Sequence, residues 1–279
     1  MQKGIYRFSL SCLFINYFIL SFSQTTTMNY VKSTQLLIED TSISSVASLF
    51  IGEKLVTIQY LDGLGRLVQT NSPQITPDSK DMVQHIEYDS LGRKVFNYLP
   101  FPYQASGAYQ TGAKAKTLNY YSSPADNSVI STSYPFGETE YDNSPLNQVV
   151  KQGFPGDSWQ LNQHPQSYES KANKASDGII MFNVSSNGQF SAVQVFEDGA
   201  LFVKEVEDEN GNITKTFTDK SGKTLVTESK LSSSEKLRTY YIYDVDNNLR
   251  VVVSPEGSKL MSSSFSSTQD FIDKWCFTY

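Results

Sequence analysis

The residues best spaced for chemistry are acidic. Asp208, Asn210 and Asn212 occupy the first, third and fifth positions of a short loop, and Asp244, Asp246 and Asn248 repeat that spacing. Alternating oxygen donors of this kind ligate calcium in an EF-hand, but that loop also needs a glycine at its sixth position and a terminal glutamate. Both segments lack them, and turn capping accounts for the same residues without a metal. Gly156-Asp157-Ser158-Trp159 has the outline of a hydrolase nucleophile block, which requires a serine on a strand-to-helix turn and a partnered histidine. Here Pro155 and a Gln/Asn-rich stretch build a loop, and His164 precedes Pro165. His85 alternates with Val83 and Glu87 and reads as a strand residue, and neither histidine has a cysteine or second histidine at ligand spacing. Gly63-Leu64-Gly65 lacks the third glycine and the following helix of a dinucleotide fingerprint. Glu138, Glu140 and Asp142 offer carboxylates, but glycoside hydrolysis needs a spatial separation that sequence spacing does not define. Tyr103, Tyr109, Tyr120, Tyr121, Tyr134 and Tyr141 could stack on sugars, with core packing the expected use. The expectation is a chain that is not an enzyme and has no catalytic residue, cofactor or metal.

The elements that position these residues are turns. Five segments share an Asp, two variable residues, then Gly or Asn, then a polar or basic residue. They are Asp62-Gly63-Leu64-Gly65-Arg66, Asp89-Ser90-Leu91-Gly92-Arg93, Asp208-Glu209-Asn210-Gly211-Asn212, Asp219-Lys220-Ser221-Gly222-Lys223 and Asp244-Val245-Asp246-Asn247-Asn248. A leading Asp accepts hydrogen bonds from the amides after it, and Gly or Asn at the fourth place tolerates positive φ. The combination predicts a type I turn with a G1 bulge, a common hairpin connection. Gly65, Gly92, Gly211 and Gly222 are expected at positive φ, with Asn247 in the left-handed region where the fifth segment lacks glycine. Ile58 and Tyr60, Ile86 and Tyr88, and Tyr241 and Tyr243 alternate on the approaching strands. The repeats are unevenly spaced, which suggests an interruption from about 98 to 177.

Composition agrees with strands. Aromatics make up 13% of the 279 residues, and flat rings suit a pleated surface. A hydrophobic content of 39% with 19% charged residues excludes a disordered chain, and a net charge of −6 argues against a nucleic-acid partner. Two Cys and two His leave little material for zinc sites or a disulfide framework.

Tyr88-Asp89-Ser90-Leu91-Gly92-Arg93 resembles a YD repeat of the RHS and teneurin-like proteins. Tyr60 through Thr70, Asn97-Tyr98-Leu99-Pro100-Phe101-Pro102, Asn143 through Val149 and Gln152-Gly153-Phe154-Pro155-Gly156 are similar to an uncharacterised domain near the N-terminus of large exported bacterial RHS-repeat proteins. The resemblance covers about residues 50 to 175 and continues through the later repeats. It implies a mainly β fold of antiparallel hairpins forming part of an RHS-type β-shell, with long loops and a short C-terminal helix. It also implies partners: further YD repeats and a C-terminal effector of a longer polypeptide. The alternative is a secreted β-module that binds a surface glycan or protein.

The first 23 residues read as a signal peptide, since Lys3 and Arg7 precede an apolar run from Leu10 to Phe22, with Ser21 and Ser23 before Gln24. Export to the surface or beyond is expected, with membrane contact only in transit, and Cys276 would then remain as the single thiol. The expected organisation is a signal peptide (1–23), an extended segment (24–49), an RHS-associated β domain (50–175) and YD-like hairpins (176–279), with the chain a fragment. Ser267-Thr268-Gln269-Asp270 predicts a helix capped by Ser267, with Phe271, Ile272 and Trp275 on one stripe. Phe277-Thr278-Tyr279 then starts a further strand. The hairpin of 239–243 and 249–253 is expected to be an exposed edge.

Overall fold

A computed structural model of the chain describes residues 27–39, 46, 49–185, 188–230 and 235–279. The signal-peptide segment and the cleavage site expected before Gln24 lie outside the described residues. The fold is mainly antiparallel β, and the chain divides into two compact units, 1–136 and 137–279.

In the first unit, β1 (Asn29–Leu36), β2 (Lys54–Leu61), β3 (Leu67–Ser72), β4 (Asp81–Tyr88) and β5 (Lys94–Tyr98) form a meander of antiparallel neighbours. A short β6 (Phe101–Tyr103) pairs with the first half of β4, beside β5 on the second half. Strand residues two apart share a face, so the register places Ile58 and Tyr60 opposite Asn71 and Gln69, and Asn71 opposite Val83. All five are buried. Their cover is the irregular segment 104–112, followed by α1 (Ala113–Ser122). Ala113 packs on Val83 and Phe101, with Tyr103, Tyr120 and Tyr121 around them.

The second unit continues with β7 (Phe136–Tyr141), β8 (Val149–Gly153), β9 (Gln166–Ala172) and a separate hairpin, β10 (Ile180–Val184) with β11 (Phe190–Val195). Then β12 (Phe202–Glu207) returns alongside β9, followed in order by β13 (Ile213–Thr218), β14 (Thr224–Lys230), β15 (Lys236–Tyr243), β16 (Leu249–Val253) and β17 (Cys276–Thr278). One face carries an unbroken apolar stripe: Val203 opposite Phe217, Phe217 opposite Val226, Val226 opposite Tyr240, and Tyr240 opposite Val253. The β10–β11 hairpin and the short helices α2 (Pro255–Ser258) and α3 (Gln269–Trp275) cover it. Phe182 meets Tyr240 edge-on at 5.5 Å, and Phe190 meets Phe271 at 6.1 Å.

Two expectations are corrected, those on the α3 cap and on the β15–β16 edge. The 98–177 segment carries none of the five Asp turns and holds β7, β8 and β9. It also contains α1, a second kind of helix beside the C-terminal one, whose buried face consists of Ala113 and Thr117 instead of a strong apolar stripe. The cap of α3 is Thr268, whose hydroxyl accepts the Phe271 amide at 3.2 Å. Ser267 is unavailable because its hydroxyl accepts the buried Phe190 amide at 2.8 Å. Finally, the β15–β16 hairpin is not an edge: β17 pairs along β16, with Val253 opposite Cys276. No helix among the described residues is long and apolar enough to cross a membrane.

Candidate functional site

All five Asp-led segments form the same turn. The Asp amide donates to the fifth residue's carbonyl, as in Asp62 to Arg66 at 2.9 Å, and the fourth residue's amide donates back, as in Gly65 to Asp62 at 3.0 Å. One carboxylate oxygen takes two amides: those of Leu64 and Arg66 in the first turn, Leu91 and Arg93 in the second, Asn210 and Asn212 in the third, Ser221 and Lys223 in the fourth, and Asp246 and Asn248 in the fifth, at 2.8–3.0 Å. The fourth residue takes positive φ in every case: Gly65 79°, Gly92 79°, Gly211 80°, Gly222 85° and Asn247 69°. A Cβ is strained there, which is the physical reason for Gly or Asn.

These bonds hold the carboxyls below the ordinary aspartate range. For Asp62, Asp89 and Asp244 the main cause is the backbone amide of the fifth residue; for Asp208 it is the Asn212 side chain. At Asp219 burial pushes upward, and the Ser221 hydroxyl with the two amides outweighs it. The second Asp208 oxygen takes Asn212 Nδ2 at 2.7 Å and that of Asp244 takes Asn248 Nδ2 at 3.2 Å, so the residues at calcium-like spacing hold one another.

Successive turns are also latched together. Arg66 bonds its own Asp62 at 2.7 Å, and its guanidinium lies over the Tyr88 ring at 4.7 Å, just before the next Asp turn. Tyr88 donates to the Leu67 carbonyl at 2.8 Å. The second unit repeats this with different residues: Lys223 lies over the Tyr243 ring at 5.6 Å and bonds Asn247, and Tyr243 donates to the Thr224 carbonyl at 3.1 Å. In both latches the tyrosine precedes the Asp. Its ring meets the cation of the preceding turn on the same edge, and its hydroxyl bonds the residue after that cation. This geometry is what the Tyr-Asp pairing accomplishes.

Sequence reasoning missed three related turns. Thr76 to Lys80 has the same bonds, with a Thr hydroxyl accepting the Lys80 amide at 2.8 Å and Ser79 at φ 56°. In Ser185 to Gln189 the leading residue is Ser, and Gly188 has φ 80°. Asp142 leads a longer version, taking the Gln148 amide at 2.9 Å, with Asn147 at φ 50°. Thr76 replaces Asp because one oxygen acceptor suffices, whereas the Ser185 hydroxyl donates to the Gln189 carbonyl at 2.8 Å.

A titratable cluster lies in the first unit. Glu87 accepts Lys114 Nζ at 3.0 Å and the Tyr98 hydroxyl at 3.1 Å, and its other oxygen is 3.5 Å from His85 Nε2. His85 Nδ1 lies 3.1 Å from the Val68 carbonyl and so carries the proton there. Burial pushes the Glu87 carboxyl up, but the bonds from Lys114 and Tyr98 outweigh it and leave it low; burial also pushes Tyr98 up to about 12. Glu87, Lys114 and Tyr98 satisfy one another within the cluster, and none of these bonds pairs a nucleophile with a base. Ser158 and His164 do not form such a pair either, since His164 Nδ1 bonds the Ser158 backbone carbonyl at 3.0 Å.

A family model described as a domain of unknown function, DUF6443, matches residues 32–172, just over half of the sequence. The chain belongs to this family. No curated protein sequence matches it. Among solved structures, one titled "Crystal Structure of TcdB2-TccC3" aligns with 74% of this chain at 14% identity and a TM-score of 0.41. The aligned part spans only 9% of that longer chain. The DUF6443 match takes in the first two Asp turns, the Glu87 cluster and the Gln152–Gly156 motif. That motif builds a rigid loop: Gln160 is buried and donates to the Phe154 and Gly156 carbonyls at 2.8 and 3.2 Å. The Phe154 amide donates to the Trp159 carbonyl at 2.7 Å.

Proposed function

We propose that this DUF6443-family chain is a non-catalytic scaffold: the N-terminal portion of an exported RHS/YD-repeat protein, whose hairpins contribute to a β-sheet shell that houses or delivers a C-terminal effector. The observation that carries the reading is the latch. A contact that ties one hairpin to another on the same edge braces a sheet, and the Arg66–Tyr88 and Lys223–Tyr243 latches do this once in each unit, with different side chains and the same geometry. The Glu87 cluster supports the same view, since Lys114 and Tyr98 are spent on its carboxylate.

The test is to isolate the native product from the producing cell. A polypeptide with further Tyr-Asp repeats, an N-terminus at Gln24 and a hollow particle by electron microscopy is the expected result. A solid particle of about the 31.3 kDa of this chain, or one that turns over a substrate through Glu87 or Ser158, would end the scaffold reading.

A further inference from the structure

We propose that the groove beside Trp159 in the second unit binds a neutral carbohydrate. It lies between the 153–165 loop and the Asp208 turn and is lined by Trp159, His164, Asn162, Gln163, Glu209 and Asn210 among others. The loop does not depend on the indole for its fold: Gln160 faces inward at 4% exposure and ties the backbone, whereas Trp159 remains 40% exposed. The ring is nevertheless held in place. Gly156, at φ 113°, leaves room for it, because a Cβ there would stand 3.1 Å from Trp159 Cδ1. On another side the His164 ring meets it edge-on at 6.1 Å, with its Nδ1 fixed by the Ser158 carbonyl.

An immobilised, half-exposed indole is a stacking platform for the apolar face of a pyranose. Stacking alone would accept any flat ligand, so the rim chemistry decides the class. Asn162, Gln163 and Asn210 each present an amide that both donates and accepts, Glu207 and Glu209 add acceptors, Lys151 adds a donor, and the Asp208 carboxylate is spent on its own turn. A sugar hydroxyl also donates and accepts, so adjacent hydroxyls match this rim. Lys151 lines the same groove and would repel a cationic peptide, whereas a neutral sugar carries no charge for it to act on. This binding is independent of whether the sheet closes into a shell.

Isothermal titration of the full chain with cellohexaose, chitohexaose, mannohexaose and polylysine tests the proposal. At least one neutral hexasaccharide should bind saturably and insensitively to salt. Trp159→Ala should weaken it about tenfold or more, and Asn210→Ala by a smaller factor with an unchanged thermal unfolding midpoint. Absence of binding by all three sugars, binding that survives Trp159→Ala, or salt-sensitive binding of polylysine alone would overturn it.

Discussion

The two units cover their sheets with different materials, and each sheet face is built to match. In the first unit the cover over Tyr60, Gln69, Asn71 and Asp81 is the irregular segment 104–112, whose backbone has no ladder or helix to satisfy it. Buried side chains supply the partners: Asp81 accepts the Ser106 and Gly107 amides at 3.0 and 2.5 Å, and Gln69 both donates to the Gln110 carbonyl and accepts its amide. Asn71 and Tyr60 donate to the carbonyls of Ala108 and Gly107, at 2.6 and 2.7 Å. In the second unit most of the cover is a hairpin and helices that satisfy their own backbones, so the face beneath can be Val203, Phe217, Val226 and Val253. A buried backbone group needs a partner, and the cover's regularity therefore decides whether the sheet face is polar or apolar.

Breaking the polar face should have the largest effect. Asp81 is fully buried and also accepts the Gln74 amide, so Asp81→Leu strands three donors and should cost about 3–6 kcal/mol in urea unfolding. In the second unit the equivalent loss comes from volume: Phe217→Ala should cost about 3–5 kcal/mol by opening a cavity. If Asp81→Leu proved neutral, the distinction between the two faces would fail. The second unit has polar ties too, among them Arg238, which joins the buried Glu228 at 2.7 Å to the carbonyls of Asp177 and Gly178. Arg238→Ala should cost about 3 kcal/mol by leaving the buried carboxylate with only Lys236, at 3.5 Å.

The turns are common to both units, and smaller changes separate their local surroundings. Gly92→Val and Gly222→Val share the positive-φ penalty of about 1 kcal/mol. Gly92→Val should cost more, because Arg66 Nη1 stands 2.8 Å from the added Cβ whereas Gly222 has open space. Equal losses in thermal unfolding would show that the latch does not restrain Arg66.

The pH dependence should be the most gradual effect. Asp62, Asp89, Asp208, Asp219 and Asp244 have folded-state pKa values depressed below 3.8. Each therefore contributes stability that is present above pH 3.8 and lost as pH falls through its folded value. The urea midpoint should begin to fall near pH 4, and replacing all five by Asn should flatten that part of the profile.

The hairpins were legible because Asp and Gly or Asn at fixed separation have one efficient backbone solution. Thr76 and Ser185 escaped notice because hydroxyls are common outside turns, and Asp142 because two extra residues separate it from Asn147. Helix α1 was hidden by its Asn, Tyr and Ser residues and its lack of a strong apolar stripe. The polar face could not be read at all: Gln69 and Asn71 alternate as outward-facing strand residues would, and only the irregular cover explains their burial. The Trp159 loop showed its motif in sequence, but not that Gln160 turns inward while the indole stays out.

Native-state hydrogen exchange tests the central claim most directly. If buried polar side chains make the 104–112 segment a structural layer, the amides of Ser106, Gly107 and Gln110 should exchange only with global opening of the first unit, at the rate of the β3 and β4 ladder amides. Exchange of those three amides through fast local opening, with the ladder still protected, would contradict it.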